Sequence, residues 1–329
     1  MGAPRPWPTH WPEPGQDNPF FEPDDGPGEG APKPDYVIEE DPLEDPHTLP
    51  EERLVFDAVT WGVTGRCNLR CMHCYDAVTC ARRDMDTAAA LAVIERLMAV
   101  GVRYVVFSGG EPLLRPDLPV LLRACQDRLV GTALRSNGTL ITPEKARLLA
   151  DCGVQVAGIS LDGATAEVHE VVRGPGSFAR TLAGAAALRD AGLRVMLEVV
   201  LSRRNAHQAL DFVALGERLG VAEINFAALA PVGRAADRPE DCLDPVLWMR
   251  LCRDLYAASQ TAAVAVSPAC SLVGTCVAGQ QLHITCDGWV QPCYLSSERL
   301  FHIFDAWRSP ARRDVCGRAL WLRCSQMKV

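Results

Sequence analysis

The chain has 329 residues, 14 of them cysteine, and a formal net charge of −8. This length fits one large domain or two ordinary ones. The N-terminus lacks the basic-then-apolar pattern of a signal peptide, and no apolar run approaches the roughly 18 residues that span a bilayer. These features predict a cytoplasmic protein, with no membrane partner, whose cysteines bind metal rather than form disulfides.

The first 50 residues differ in composition from the rest. They hold 13 of the 24 prolines and 12 acidic against 2 basic residues, which leaves 29 acidic and 31 basic residues for the remainder. The segment shows neither a helical nor an alternating apolar period, so we predict a disordered acidic tail over residues 1–53. The nearly balanced remainder has no basic patch, so no nucleic-acid partner is expected.

Residues 54–235 alternate short apolar runs with amphipathic helical runs, which predicts an α/β fold with a parallel sheet. Six strand–helix repeats, rather than eight, indicate a partial (β/α)6 barrel with its site at the carboxyl ends of the strands. Asp86 and the pair Thr142–Pro143 are helix start signals. The predicted strands are Phe56–Val63, Tyr104–Phe107, Gly131–Ser136, Val154–Ser160, Arg194–Leu201 and Glu223–Ala228, and the predicted helices are Asp86–Val100, Pro116–Arg128, Pro143–Cys152, Ser177–Ala191 and Ala206–Gly220.

The first predicted strand leads into a segment with three closely spaced cysteines, Cys67, Cys71 and Cys74. Three thiolates can hold three irons of a [4Fe-4S] cluster and leave the fourth iron open to a small molecule. The alternative is a structural zinc site with His73 as fourth ligand, although a histidine between two of the cysteines suits one tetrahedron poorly.

With Tyr75 directly after the last cysteine, this motif resembles that of the radical S-adenosylmethionine (SAM) enzymes. The resemblance implies a SAM-binding [4Fe-4S] cluster and reductive cleavage of SAM to a 5′-deoxyadenosyl radical. It also implies SAM-binding residues at the strand ends, with a Gly-Gly-Glu segment at the amino group and an arginine at the carboxylate. Ordinary turn, cap or surface roles are the alternatives for several of them. The expected cofactor-binding residues are Tyr75, Ser108, Gly109, Gly110, Glu111, Ser136, Asn137, Ser160, Asp162 and Arg173.

Residues 236–329 break the alternation and are dense in cysteine, and Asp287–Gly288 between apolar runs predicts a hairpin. This small α+β extension resembles the twitch/SPASM domains that carry auxiliary clusters in radical SAM enzymes. SPASM domains usually have seven cysteines for two clusters and close with a dense run of cysteines. Here the closing segment offers only Cys316 and Cys324, so the resemblance implies one auxiliary [4Fe-4S] cluster. A structural zinc at the same residues is the alternative. The expected ligands are Cys276, Cys293, Cys316 and Cys324.

The predicted function is a radical SAM oxidoreductase or epimerase. Its expected substrate is a small natural product, such as an aminoglycoside, an aminocyclitol or another sugar of antibiotic biosynthesis. A reductant such as flavodoxin or ferredoxin is the expected partner. The alternative is a peptide maturase or a haem-precursor-modifying enzyme, since fold does not choose among substrates. A non-catalytic iron–sulfur protein is disfavoured, because the strand-end SAM motifs would then have no purpose.

Overall fold

The computed structural model describes residues 58–75, 83–268, 281–296 and 298–305. The predicted N-terminal tail and three predicted auxiliary ligands, Cys276, Cys316 and Cys324, lie outside these residues. Within the described ranges, no helix is both long enough and apolar enough to cross a bilayer.

All six predicted strands are present, and four of them have the predicted bounds. Short apolar runs explain most of this agreement, because strands of a parallel sheet are buried on both faces. In the first strand Val59, Trp61 and Val63 are fully buried in the apolar core, and Trp61 packs on Phe107 with ring centroids 5.8 Å apart. The strands of the described residues are β1 Ala58–Thr64, β2 Tyr104–Gly109, β3 Gly131–Ser136, β4 Val154–Ser160, β5 Arg194–Leu201, β6 Glu223–Ala228, β7 Ala265–Pro268, β8 Gln281–Ile284, β9 Trp289–Gln291 and β10 Phe301–His302.

These strands form one sheet in the order β10-β9-β8-β1-β2-β3-β4-β5-β6-β7. Neighbouring strands from β8 through β1 to β7 are parallel, while β9 and β10 add an antiparallel edge. The α/β fold with a partial barrel is confirmed, but its parallel sheet is larger than the six strands predicted. The additional parallel strands are β7, whose four residues are too few to show a period, and β8, which was predicted as part of a hairpin but not as a partner of β1.

The helices cover the sheet and begin where the sequence signals them. The Asp86 carboxylate accepts a hydrogen bond from the Ala89 N–H at 2.8 Å, and the Thr142 hydroxyl accepts one from the Lys145 N–H at 3.3 Å. The eight-residue α4 and the helix α7 were not predicted. The described helices are α1 Thr87–Ala99, α2 Leu118–Gln126, α3 Pro143–Asp151, α4 Ala166–Arg173, α5 Ser177–Asp190, α6 Ala209–Leu219 and α7 Pro245–Ser259.

The hairpin predicted around Asp287–Gly288 is present, with β8 and β9 antiparallel on either side of it. Gly288 has a φ of +86°, a backbone conformation that favours glycine. Strand β7 continues the sheet beside β6, and β8 pairs with β1. The domain boundary predicted between residues 235 and 236 stays a prediction.

Candidate active site

The three cysteines that follow β1 line one cavity of about 210 Å³ at the carboxyl ends of the strands. We call residues 67–75 the cysteine loop. Parallel strands bring the residues that follow them to the same edge of the sheet, which is why loops from β2, β3 and β4 also reach the cavity. The other predicted site residues that line it are Tyr75, Ser108, Gly109, Gly110, Ser136, Asn137, Ser160 and Arg173.

The surroundings of the cysteines suit thiolates that bind iron. The Leu69 N–H donates to Cys67 Sγ at 3.4 Å, and Arg173 Nη1 lies 3.9 Å from Cys71 Sγ. An N–H donor and a cationic guanidinium both stabilise negative charge on sulfur. The residues present therefore fit an iron–sulfur cluster with three thiolate ligands.

The zinc alternative fits this geometry less well. His73 Nε2 lies 2.6 Å from Asp162 Oδ2, so that nitrogen is engaged with a carboxylate. In the part of the chain that the structure describes, no three His, Cys, Asp or Glu side chains converge on a position for one metal ion. A cubane cluster does not need such convergence, because each thiolate binds a different iron.

A loop that the sequence analysis did not single out holds the cysteine loop from the far side of the sheet. Arg234, which follows β6, donates from Nη1 to the Cys71 carbonyl and from its backbone N–H to the Cys74 carbonyl, both at 3.0 Å. At Gly233, φ is +58° and an added Cβ would lie 2.3 Å from the Cys74 carbonyl oxygen. The contact therefore depends on a glycine at this position.

The two glycines after β2 are explained by close packing on the start of the cysteine loop. A Cβ at Gly109, where φ is +124°, would lie 2.4 Å from the Thr64 carbonyl oxygen, and one at Gly110 would lie 2.3 Å from the Arg66 carbonyl oxygen. The Gly110 N–H donates to Thr64 O at 2.8 Å. This packing fixes the strand-end backbone beside the cysteines.

Glu111 has a different contact set from the predicted one. Its carboxylate is fully buried and accepts hydrogen bonds from Ser136 Oγ and the Asn137 N–H, each at 2.9 Å. Burial raises the pKa of Glu111, and these hydrogen bonds offset part of that effect. Its side chain braces the turn after β3 and is not part of the cavity wall.

Asp162 also lies behind the cavity wall rather than on it. Its fully buried carboxylate accepts from Arg173 Nε at 2.5 Å and from the Val200 N–H at 2.9 Å. Burial alone would raise the pKa of Asp162, but Arg173 and His73 outweigh it and hold that pKa well below its usual range. Among the described residues these contacts hold Arg173, whose Nη1 lies near Cys71 Sγ, and the direct contact of Asp162 with SAM stays a prediction.

Residues from three strands add a polar group inside the barrel that sequence analysis missed. Arg135 on β3 donates from Nε to Glu198 Oε1 on β5 at 2.7 Å, and Asn225 on β6 lines the same cavity. Tyr294, which follows β9, packs its ring 5.2 Å from that of Tyr75. A charged residue within an apolar strand was the available signal for Arg135 and Glu198.

Of the four predicted auxiliary ligands, Cys293 alone falls in the described residues, where it is half-buried just after β9. It stands next to Tyr294, which lines the cavity. The auxiliary cluster itself stays a prediction.

Known proteins resemble the chain over this same region. Residues 61–215 match the sequence profile of the Radical SAM superfamily. The AdoMet-dependent heme synthase of Methanosarcina barkeri is 33% identical over 216 residues, which are 65% of this chain and 61% of that protein. The mycofactocin maturase MftC of Mycobacterium ulcerans is 40% identical over 183 residues, 54% of this chain and 49% of that protein.

A solved structure of native anSMEcpe with bound AdoMet and Cp18Cys peptide has a TM-score of 0.66 and 18% identity, covering 81% of this chain and 87% of that one. At that identity the likeness concerns the fold alone. The alignments to the two curated relatives span about half to three fifths of those proteins' lengths. The matched profile, these relatives and the three-cysteine site together show that the chain belongs to the radical SAM superfamily.

Proposed function

We propose that the protein is a radical SAM enzyme that removes hydrogen from a C–H bond of its substrate. The observation that carries this proposal is the shared cavity, which is lined by all three cysteines and by the strand-end residues of β2, β3 and β4. When bound, the [4Fe-4S] cluster and SAM supply a 5′-deoxyadenosyl radical as the hydrogen acceptor.

The chain's own residues hold and orient these cofactors. Cys67, Cys71 and Cys74 would bind three irons, and backbone carbonyl groups at Gly109 and Gly110, which line the cavity, would accept hydrogen bonds from the SAM amino group. The Arg173 guanidinium, held by the buried Asp162, would pair with the SAM carboxylate. The remaining predicted contacts to SAM are Ser108, Ser136, Asn137, Ser160 and the ring of Tyr75.

For the substrate we propose a peptide. The support is the 40% identity to a mycofactocin maturase, the highest among the relatives described above, over a stretch about as long as the barrel. The predicted aminoglycoside or sugar substrate has no counterpart among those relatives, so the alternative of a peptide maturase is now favoured.

A haem precursor is the second candidate. Its support is the longer match to a heme synthase, 216 residues against 183 for the maturase. An Fe-coproporphyrin III synthase of Methanosarcina barkeri is also 32% identical over 200 residues.

An auxiliary cluster at Cys276, Cys293, Cys316 and Cys324 would accept the electron that a substrate radical releases, which would make the reaction an oxidation. The first electron would come from a flavodoxin or a ferredoxin. Such chemistry fits a reducing cytosol, which we keep as the proposed location.

The test is anaerobic reconstitution followed by an assay of 5′-deoxyadenosine with pooled synthetic peptides, with Fe-coproporphyrin III, or with neither. We expect about eight irons per chain, falling to about four when all three cysteines of the cysteine loop become alanine, with SAM cleavage abolished. A Cys252→Ala variant is the control, because that thiol is on the buried face of α7 and burial raises its pKa to about 12.

Zinc in place of iron, or SAM cleavage that survives the triple change, would contradict the proposal. Product formation in the peptide arm supports the first substrate, and product formation with Fe-coproporphyrin III alone replaces it with the second.

A further inference from the structure

An ion pair inside the barrel stands next to the proposed SAM site but has no role in it. Arg135 Nε on β3 donates to Glu198 Oε1 on β5 at 2.7 Å, and both side chains line the cavity. The guanidinium carbon lies 5.9 Å from the centre of the Tyr294 ring, within range of a cation–π contact. Glu198, with help from neighbouring groups, raises the pKa of Arg135, so the guanidinium stays charged.

The pair reaches across the strand that separates its two members because that strand has a glycine there. Gly158 on β4 is the register partner of Arg135, and a Cβ on it would lie 2.8 Å from Glu198 Oε1. A larger residue would push Glu198 out of the position that it takes beside Arg135. The arrangement thus keeps the guanidinium at a fixed orientation inside the barrel.

The terminal donors of Arg135 have no protein partner in the described part of the chain. Arg135 donates to Glu198 from Nε, which leaves Nη1 and Nη2 for a ligand, and its side chain is 28% exposed. Asn225, the register partner of Glu198, has a buried Oδ1 with no hydrogen-bond partner in the described chain. Buried polar groups are generally paired, so the site is set for a polar ligand group.

We propose that Arg135 binds a carboxylate of the substrate through its two terminal nitrogens, with Glu198 holding the guanidinium in place. The inference deepens the proposed function and rests on it for the word substrate. A planar guanidinium with two parallel N–H donors matches a carboxylate bidentately.

The charge of Glu198 decides between a carboxylate and a phosphate. Because Glu198 accepts the hydrogen bond from Nε, the Arg135–Glu198 pair is neutral overall. The repulsion between Glu198 and a dianionic group would then exceed the attraction from Arg135. A monoanion, such as a carboxylate, meets less repulsion from Glu198 than a dianion does. The cavity wall nearby is apolar, with Ala227, Leu229 and Leu295 among its residues, which fits a carboxylate carried on an apolar body.

The SAM carboxylate is a competing occupant of Arg135, and the experiment separates the two. The probe is 3-phenylpropionate, with 3-phenylpropionamide as its uncharged analogue, titrated into the reconstituted protein with saturating SAM and followed by ligand-detected NMR. We expect the carboxylate to bind and the amide to bind about tenfold more weakly or worse.

Arg135→Gln is expected to weaken binding of the carboxylate by about tenfold or more, and Arg135→Lys by less, because a lysine keeps the charge without the two parallel donors. Arg147→Gln is the matched control, since Arg147 is exposed on α3 and far from the cavity lining. In Glu198→Gln, 3-phenylpropylphosphonate should gain affinity relative to the carboxylate.

Equal binding to wild type and Arg135→Gln would overturn the inference, and so would no binding to wild type. A parallel loss of SAM affinity in Arg135→Gln would assign Arg135 to SAM instead and also overturn it. If Glu198→Gln leaves the preference for the carboxylate over the phosphonate unchanged, the argument from the charge of Glu198 is refuted. These are equilibrium measurements, so absence of SAM cleavage would count against the proposed function and leave this result standing.

Discussion

The change Asp162→Asn tests whether one buried carboxylate positions Arg173, the arginine proposed to bind SAM. Asp162 Oδ2 accepts hydrogen bonds from Arg173 Nε at 2.5 Å and His73 Nε2 at 2.6 Å, while Oδ1 accepts from the Val200 N–H at 2.9 Å. An asparagine keeps the shape but turns an NH₂ donor toward two donors, or toward the Val200 N–H if the amide is flipped. In either orientation Arg173 remains buried and loses its counter-ion.

We expect Asp162→Asn to lower the free energy of unfolding by roughly 3–5 kcal/mol, because removing one partner of a buried ion pair leaves an uncompensated charge. Affinity for SAM should fall by about tenfold or more, since the guanidinium is no longer aimed at the cavity. Urea unfolding and equilibrium dialysis of SAM, both anaerobic, measure the two effects.

Asp190→Asn is the matched control, because Asp190 also pairs with an arginine but is 66% exposed. Its expected cost is below about 1 kcal/mol, with no change in SAM affinity. If Asp162→Asn lowers the free energy of unfolding no more than this control does, and SAM affinity is unchanged, the proposal that Asp162 positions Arg173 is refuted.

Three further changes test other contacts. Gly233→Ala should reduce the iron bound after reconstitution, because its Cβ would lie 2.3 Å from the carbonyl of the last cysteine in the cysteine loop. Gly192 is the control, because its φ is also positive but an added Cβ would have nothing within 4 Å. Gly192→Ala should lower the free energy of unfolding by about 1–2 kcal/mol and leave the bound iron unchanged. Equal iron in both variants would refute the role of the Gly233 contact. Asn68→Ala should lower the free energy of unfolding by about 1–3 kcal/mol, because Asn137 Nδ2, which donates to Asn68 Oδ1 at 2.9 Å, loses its acceptor. An unchanged midpoint of urea unfolding would count against that hydrogen bond. Burial, with a smaller effect of a nearby arginine, lowers the pKa of His283 from 6.5 to about 4. The unfolded chain therefore binds the proton more tightly than the folded protein does. The free energy of unfolding should fall by about 1.4 kcal/mol as the pH is lowered from about 7.5 to about 5.5. His283→Gln should lack that part of the pH dependence, and identical slopes in urea unfolding would contradict the assignment.

The parts of the fold that were predictable are those with long local patterns. Strand Arg194–Leu201 alternates buried and more exposed residues, Val154–Ser160 contains a buried apolar run, and the start of α1 follows from the side chain of Asp86. The short strand β7 gave no such pattern, because a four-residue run is shorter than two helical turns and covers barely two strand periods. Strand β8 was predicted as half of a hairpin, but no local pattern indicated its parallel pairing with β1.

The same distinction between local and long-range signals applies to the residues of the site. The three cysteines are near neighbours in sequence, so their spacing alone indicated the cluster. Arg234 contacts the Cys71 carbonyl across 163 positions, and Arg135 contacts Glu198 across 63. No local signal encodes such pairs. Asp162 was expected at the cofactor because it resembles the strand-end aspartate of radical SAM enzymes, but its contact with His73 joins residues 89 positions apart.

The pairing of β1 with β8 has a consequence for synthesis. Ala58 is the register partner of Gln281, 223 positions later in the chain. At the ribosomal rate of roughly 5–20 residues per second, that edge of β1 waits on the order of 10 to 45 seconds for its partner. An unpaired parallel edge is a template for intermolecular pairing. The nascent chain therefore passes through a period in which the cysteine loop has been made while the strand beside it is open, when chaperones and cluster-delivery proteins can reach it.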